Sequence, residues 1–253
     1  MPDIDTVRRM MDTCYAAGTA YNTTLPFDSV RGRYIHSATL TLARNAYPQR
    51  ELPSTLDVGS GEGGIASFWP HQQIVGVELS AVAVRMAKER YPEVDYRCSA
   101  IEEFRLLDGE PRFSLAVAQE SIEHWVDVPA GLSAIREAMV PGGTLVLTTP
   151  NRDSLHCRIS RKLGLGEPPK CSDDHVHEFG FNELIATVER SGFRHADCLG
   201  VVLLPYWAME RVLGHEIRRL TDTDQEVCEW FAEIGSLAPA EYCFIQCHAF
   251  VRS

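Results

Sequence analysis

The stretch LDVGSGEGG, Leu56–Gly64, decides the fold of this chain. It runs from an apolar segment into a turn with four glycines, and a helix is predicted from Gly63 onward. Glycine lets the backbone turn tightly and approach a ligand closely, because it has no Cβ atom. The glycines fit both a GxGxG and a GxGxxG pattern, so the stretch predicts a strand, a ligand-binding loop and a helix.

Strand and helix patterns alternate along the chain after this point, as they do in an α/β sheet protein. Such alternation predicts a mostly parallel sheet with helices on both faces, because parallel neighbours need crossover connections. The predicted strands are Thr55–Gly59, Gln73–Val77, Val94–Cys98, Phe113–Gln119 and Thr144–Thr149, and the predicted helices are Gly63–Phe68, Ser80–Arg90 and Pro129–Met139.

The flanking segments have patterns of their own. Helical spacing is found over residues 3–17, over about Asp28–Tyr47 and again from Phe181, while polar residues 151–179 predict a long loop. A short strand is predicted near Arg194–Val201, followed by two amphipathic helices and a last strand at Tyr242–Val251.

Composition excludes several classes of protein. The chain has 253 residues with 24 Lys+Arg against 35 Asp+Glu, a net charge of −11, which argues against nucleic acid as the main partner. No run of 18 apolar residues is present and the N-terminus has no apolar signal-peptide core, so we expect a cytoplasmic protein without a membrane partner. The eight cysteines form no CxxC pair, which argues against a zinc site.

Glu78 ends the second predicted strand, nineteen residues after Gly59. A carboxylate at this place can accept hydrogen bonds from both hydroxyls of an adenosine ribose. Nicotinamide dinucleotides and S-adenosylmethionine both carry that ribose, so these residues alone leave an oxidoreductase and a methyltransferase open.

Further motifs follow in a fixed order, and with them the chain resembles the class I S-adenosylmethionine-dependent methyltransferases, in particular the ubiquinone-type small-molecule O-methyltransferases. The resemblance covers roughly Thr55–Gly192, and it implies a Rossmann-like sheet of seven strands, mostly parallel, with the last strand antiparallel. The motifs are DVGSGEGG (57–64), VGVELS (75–80), CSAIEEF (98–104), AQESIEHW (118–125), VPGGTLVLTTPNR (140–152) and DDHVHEFGFNEL (173–184).

The resemblance also implies a binding site for S-adenosylmethionine, with S-adenosylhomocysteine as the product. Ser99 stands where many members have Asp, which leaves the contact to the adenine amino group to the backbone or to Glu102. By family position, the methionine half would contact Asp57, Gly59, Ser60 and Gly61, the ribose Glu78, the adenine Leu79, Ala100, Ile101 and Glu102, and the amino group and sulfur Gln119 and Glu120.

Two histidines are the predicted catalytic residues. His124 follows the fourth strand at the carboxyl edge of the sheet, and imidazole is the natural base near pH 7. His175 lies above the acceptor pocket by family position. Glu120, Glu123, His124 and His175 resemble the ion-binding set of the small-RNA 3′-end methyltransferases, but a dication would repel the sulfonium, so we expect no metal.

The sequence therefore predicts four segments: capping helices at 1–50, the cofactor-binding core at 51–200, a helical lid at 201–240 and a final strand at 241–253. Tyr206 or Trp207 is predicted to line the acceptor pocket. The expected reaction is methyl transfer to a hydroxyl of a small-molecule acceptor, in a monomer or a homodimer. An N-methyltransferase, an RNA ribose methyltransferase and a non-catalytic cofactor-binding protein remain the alternatives.

Overall fold

Seven strands form one sheet in the computed structural model, which describes residues 2–17, 30–48, 53–67, 74–164, 174–201, 233 and 237–253. The strands are β1 Thr55–Val58, β2 Ile74–Glu78, β3 Asp95–Cys98, β4 Phe113–Gln119, β5 Met139–Pro150, β6 Phe193–Val201 and β7 Ile245–Arg252. Their order across the sheet is β3-β2-β1-β4-β5-β7-β6.

Strands β1 to β5 are parallel, and β7 is antiparallel to both β5 and β6. This confirms the predicted seven-stranded Rossmann-like sheet with an antiparallel last strand. The order reverses between β1 and β4, where the crossovers leave the sheet in opposite directions. In open parallel sheets such a reversal leaves a crevice at the carboxyl ends of the strands, and the glycine loop follows β1 at this place.

The helices cover both faces of the sheet, and most start where the sequence predicts. The prediction of a long loop after residue 150 is wrong in part, because Leu155–Lys162 is a helix. Leu155, Ile159 and Leu163 have helical spacing within this polar segment. An α-helix is predicted over Gly63–Phe68, but in the described part of this range the structure has only a 3-10 turn, at Ile65–Ser67. The helices are α1 Ile4–Ala16, α2 Val30–Ala46, α3 Ala81–Arg90, α4 Val128–Ala138, α5 Leu155–Lys162, α6 Phe181–Arg190 and α7 Pro239–Tyr242.

Two apolar cores lie on opposite faces of the sheet, as expected for strands that are buried on both sides. One core joins α4 and α6 to residues such as Leu56, Leu145 and Phe250. The other joins α2 and α3 to residues such as Leu115 and Val146. Helix α1 lies outside both cores, with a small apolar cluster of its own.

The predicted lid falls largely outside the described residues. Residues 202–232 and 234–236 are not described, so Tyr206 and Trp207 stay predictions, as do the domain boundaries. Among the helices that the structure describes, none has the length and apolar character needed to cross a membrane.

A buried histidine on β7 makes the stability of this fold depend on pH. His248 has no exposed surface, its Nε2 lies 3.1 Å from Gln246 Oε1, and its Nδ1 lies 3.1 Å from His195 Nε2. Burial lowers the pKa of His248 to about 3, so the ring is neutral in the folded chain at ordinary pH. In the unfolded chain the ring regains its ordinary pKa and takes up a proton below about pH 6.5.

We expect His248 to destabilise the fold as the pH falls below about 6.5, by about 2 kcal/mol at pH 5, because only the unfolded state binds the proton. Urea unfolding of wild type and His248→Gln at pH 7.5 and pH 5 measures this. The variant should lose less free energy of unfolding between the two pH values, while Arg194→Gln, at an exposed position of β6, should behave as wild type. Equal losses in wild type and His248→Gln would contradict the assignment.

Candidate active site

The glycine loop after β1 has the backbone conformation that its sequence predicts. Gly59, Gly61 and Gly63 have φ values of 71°, 51° and 86°, in the left-handed region that glycine adopts without strain. The amides of Gly59 and Ser60 both donate to the carbonyl of Val77, at 2.8 and 3.1 Å. A Cβ atom on Gly59 would lie 2.2 Å from Ser121 Oγ, so a larger residue would collide with the end of β4.

Glu78 connects this loop to the start of α3. Its Oε2 accepts the Gly61 amide at 3.0 Å, and its Oε1 accepts the Ser80 amide at 2.8 Å. The side chain is buried, and burial raises the pKa of Glu78 although the backbone amides act in the opposite direction. The predicted contact of Glu78 with a ribose stays a prediction.

A cavity that is partly open to solvent lies beside Glu78 and the glycine loop. Eight of the predicted site residues line it, namely Gly59, Glu78, Leu79, Ala100, Ile101, Glu102, Glu120 and His124.

Glu102 has a second role besides lining the cavity. Its Oε1 accepts the backbone amides of Val126 at 2.8 Å and Asp127 at 3.2 Å, which connects the segment after β3 to the segment after β4. Ser99, which stands where many family members have Asp, also lines the cavity, and its hydroxyl donates to the carbonyl of Ala100. The neighbourhood predicted for the adenine is therefore held together by side-chain contacts to the backbone.

The other predicted residues lie behind the lining. Gln119 faces α2, where its Oε1 accepts from Thr39 Oγ1 at 3.2 Å and lies 2.8 Å from His36 Nδ1. Asp57 and Ser60 are buried beneath the glycine loop, and the loop residue Gly61 is not among the lining residues either. The predicted contacts of these residues with a cofactor stay predictions.

Asp57 is a buried carboxyl group with an unusual environment. Its Oδ2 has no hydrogen-bond partner within the described ranges, and neither do the nearby Ser60 Oγ and Tyr96 hydroxyl. Burial first, and then the Glu78 charge, raise the pKa of Asp57 to about 8. A cation above the loop would favour the ionised carboxylate and lower this pKa.

Glu120 has a strained backbone at the end of β4. Its φ is 48°, which is uncommon for a residue with a Cβ atom. The amide of Glu120 donates to the Thr148 carbonyl and to Thr148 Oγ1, both at 3.0 Å, and Thr148 Oγ1 donates to Glu120 Oε1 at 2.9 Å. Such conformations concentrate at functional sites, and this one directs the chain after β4 into the cavity wall.

The two predicted catalytic histidines lie side by side, with ring centroids 5.0 Å apart. His124 lines the cavity, whereas His175, 7% exposed, is not among the lining residues. His124 Nδ1 lies 3.2 Å from the carbonyl oxygen of Asp174. A carbonyl can only accept, so Nδ1 carries the proton and Nε2 is the basic nitrogen. Burial lowers the pKa of His124, which keeps the ring neutral at pH 7.

Glu123 connects the two histidine segments. Its carbonyl accepts the amides of Val176 and His177 at 2.8 and 2.9 Å, and its Oε2 accepts from Thr149 Oγ1 at 2.9 Å. Burial and the neighbouring Glu120 raise the pKa of Glu123 well above its usual range. Ligand atoms of Glu123, His124 and His175 lie within 4.8 Å of one another, which would permit a cation. The expected absence of a metal is untested.

Helix α1 supplies a wall of the cavity that the sequence predicts only in part. Ile4, Val7, Met11 and Tyr15 line the cavity. The spacing of the first three follows the predicted apolar face of the helix, but Tyr15 and its contact with the loop were missed. A polar tip on an apolar helix face, one residue after Cys14, is the signal that could have indicated it.

Comparisons with known proteins agree with this geometry. A methyltransferase-domain family model matches residues 30–196 of the chain. A ubiquinone biosynthesis O-methyltransferase of Methylobacterium nodulans is 32% identical over 208 residues, which cover 74% of this chain and 81% of that protein. A second ubiquinone biosynthesis O-methyltransferase, from a Bradyrhizobium species, is 36% identical over 104 residues. The matched part covers 39% of this chain and 40% of that relative's length.

A solved structure has a similar fold over almost the whole chain. The N-methyltransferase NodS of Bradyrhizobium japonicum, in complex with S-adenosylhomocysteine, aligns with a TM-score of 0.60 and covers 97% of this chain and 98% of its own. At 14% sequence identity this likeness shows a common fold.

We expect the affinity for S-adenosylmethionine to rise about 3- to 10-fold between pH 6.5 and 8.5, because Asp57 must release its proton to complement a cation. Asp57→Asn should remove most of this rise. Titration calorimetry at three pH values measures it, and the uncharged sulfur of S-adenosylhomocysteine should give a smaller dependence. The exposed Asp95→Asn is the control. A wild-type affinity that is constant with pH would contradict a role for Asp57 ionisation.

We expect Glu120→Gly to be more stable than Glu120→Ala by about 1 kcal/mol, because glycine adopts the positive φ without strain. Both variants lose the bond to Thr148, so their difference isolates the backbone. Urea unfolding measures the free energy, and both variants should lose activity because the carboxylate is absent. A glycine variant no more stable than the alanine variant would show that the backbone of Glu120 is unstrained.

Proposed function

This chain belongs to the methyltransferase-domain family and is an S-adenosylmethionine-dependent enzyme, and we propose that it methylates a hydroxyl group of a small-molecule acceptor. The observation that carries the proposal is the position of His124, which lines the same cavity as Glu78 and Gly59 of the glycine loop. A hydroxyl group needs a base at neutral pH, and a neutral imidazole is suited to that role.

The residues of the cavity fit the cofactor. S-adenosylmethionine supplies a methyl group that is already activated by the sulfonium charge. Carboxylates of Glu78, Glu102 and Glu120 line the cavity, and the unpartnered Oδ2 of Asp57 lies under the glycine loop, so the donor set suits a cation. Ser121 Oγ leaves no room for a side chain on Gly59. Because residue 59 is glycine, a ligand can approach the loop backbone without meeting a side chain there.

The basic nitrogen of His124 is oriented by the segment after α5. The carbonyl oxygen of Asp174 accepts a hydrogen bond from His124 Nδ1, and Asp174 Oδ2 lies 3.7 Å from the same nitrogen. An imidazolium formed at His124 would thus face a carboxylate, which stabilises the charge after proton transfer. His175 packs edge-on against His124 and restricts its rotation. His175 then acts through His124.

The walls of the cavity support a compact organic acceptor. Ile4, Val7, Met11 and Trp125 provide an apolar surface, and Val126 extends it. Apolar walls exclude water and favour flat or aliphatic groups, while the few polar groups orient the reacting atom. The names of the two relatives, ubiquinone biosynthesis O-methyltransferases, agree with a hydroxyl as the acceptor. The acidic chain supports a small molecule over RNA.

The contribution of the protein to the rate is then alignment and proton removal. Holding the acceptor oxygen in line with the methyl group converts an encounter of two molecules into a reaction within one complex. His124 takes the hydroxyl proton at Nε2 as the new oxygen–carbon bond forms, and the carboxylates surrounding the cavity stabilise positive charge.

We expect His124→Ala to lower kcat by about 10²- to 10⁴-fold with little change in cofactor affinity, because the base is lost and the cofactor contacts remain. Steady-state kinetics with a hydroxyl acceptor and calorimetry with S-adenosylhomocysteine measure the two quantities. Wild-type activity should stay level as the pH falls from 8 to about 6.5, because burial lowers the pKa of His124.

His177→Ala is the matched control, since this histidine belongs to the same segment but does not line the cavity. It should retain most of the activity. Dialysis against EDTA should also leave activity intact, and a loss that Mg²⁺ or Mn²⁺ restores would reassign Glu123, His124 and His175 as ligands. If His124→Ala methylated its true acceptor at the wild-type rate, His124 would not be the base.

A further inference from the structure

Helix α1 closes one side of the cofactor cavity while resting only lightly on the rest of the molecule. Its inner residues Val7, Met11 and Tyr15 pack in a small cluster with Ala83 of α3, separate from the two cores of the sheet. Displacing α1 therefore leaves the packing of the sheet intact.

Asp12 ties this helix to the start of α3. Its Oδ1 accepts from Ser80 Oγ at 2.6 Å and lies 3.3 Å from the amide of Val82, which donates to it. Ser80 is also the N-cap of α3, because its Oγ accepts the Ala83 amide at 3.2 Å. The Ser80 hydroxyl therefore donates its one hydrogen bond to Asp12 and accepts the Ala83 amide with a lone pair, which caps the helix.

The same serine holds the carboxylate that faces the cofactor. The amide of Ser80 donates to Glu78 Oε1, and the amide of Gly61 donates to Glu78 Oε2. A continuous series of hydrogen bonds thus runs from α1 through Asp12, Ser80 and Glu78 to the glycine loop. Three residues further along α1, the Tyr15 hydroxyl lies beside the loop, because a Cβ atom placed on Gly61 would be 3.0 Å from it.

We propose that Asp12 is a positioning residue for the cofactor, which latches α1 over the cavity and fixes Glu78 through Ser80. Asp12 does not line the cavity, so it acts through these two neighbours. A ligand held against α1 leaves more readily when the helix moves away, and breaking the bond between Asp12 and Ser80 permits that movement. The latch therefore sets the rate at which the cofactor and its product are released.

The strength of the hydrogen bond between Asp12 and Ser80 sets how much faster the ligand dissociates when that bond is removed. Hydrogen bonds to a charged group are worth about 1.5–3 kcal/mol, which corresponds to about 10- to 100-fold in a rate that requires the bond to break. We expect Asp12→Ala to raise the dissociation rate of S-adenosylhomocysteine by about 10-fold or more. The association rate should rise by less, because Asp12→Ala opens the entrance but also loosens the Ser80 contact that positions Glu78.

Stopped-flow measurement of tryptophan fluorescence tests this, because Trp125 lines the cavity and should report ligand binding. Asp5→Ala is the matched control, because Asp5 is an exposed acid on the same helix that pairs with Arg8 within that helix. This control should release the ligand at the wild-type rate. An unchanged dissociation rate in Asp12→Ala would overturn the latch.

A double-mutant cycle separates the latch from a merely structural contribution. Ser80→Ala loses the bond to Asp12 and also the cap of α3, so it should speed release and lower the melting temperature. The double variant Asp12→Ala/Ser80→Ala should release the ligand no faster than the faster single variant, because both remove one bond. Rates that multiply in the double variant would show that the two residues act independently, against the proposal.

Limited proteolysis provides a test with the wild-type chain, should a variant fail to fold. Trypsin cleaves after Arg8 and Arg9 in α1, and cleavage requires the helix to leave the cavity. Saturating S-adenosylhomocysteine should slow cleavage at these two sites by at least about 10-fold, while Asp12→Ala should reduce this protection. Cleavage at α1 that is as fast with the ligand as without it would show that the helix does not enclose the site.

Discussion

The Glu78 carboxylate holds the walls of the cavity together, because it accepts one amide from the glycine loop and another from the start of α3. A buried carboxylate without such donors would be costly, and the raised pKa of Glu78 shows that burial still outweighs these bonds. The loop, β2 and α3 are thereby fixed relative to one another. Helix α1 is attached to the same unit by Asp12 and Ser80.

The two imidazoles lie on one side of the cavity, whereas acidic groups lie on both sides. Glu78 ends β2 and Glu102 follows β3, where a cationic cofactor is proposed to lie, while Glu123 and Asp174 lie beside His124. A neutral base therefore operates close to several acids. Burial lowers the pKa of His124 and raises those of Asp57 and Glu123, so the site has fewer charges than its residue types suggest.

Backbone strain occurs at the boundary between these two sides. Glu120 adopts a positive φ directly after β4, and its bonds with Thr148 of β5 hold it in that conformation. The next residue, Ser121, occupies the space beside Gly59 that a Cβ atom would need. The end of β4 therefore brings the glycine loop and the histidine segment into contact, and its geometry depends on the neighbouring strand.

The amino-acid sequence alone determined the sheet, the glycine loop and the identity of eight of the residues that line the cavity. Alternation of strand and helix patterns predicts a parallel sheet, and GSGEGG after an apolar strand fixes where a ligand approaches, because both are local properties of the chain. Glu78, Glu120 and His124 were identifiable for the same reason, since each follows a predicted strand. The boundaries of α5 were missed because its helical spacing lies within a polar segment.

Only the tertiary structure decided what these residues do to one another. It turned Gln119 toward His36 and Thr39, directed Glu102 to the backbone of Val126, and placed Asp12 against Ser80, which lies 68 residues away in sequence. These contacts depend on which elements pack together, and a linear pattern carries no information on the packing of a helix that precedes the sheet. The direction of each pKa shift has the same origin, because burial and neighbouring charge exist only in the folded chain.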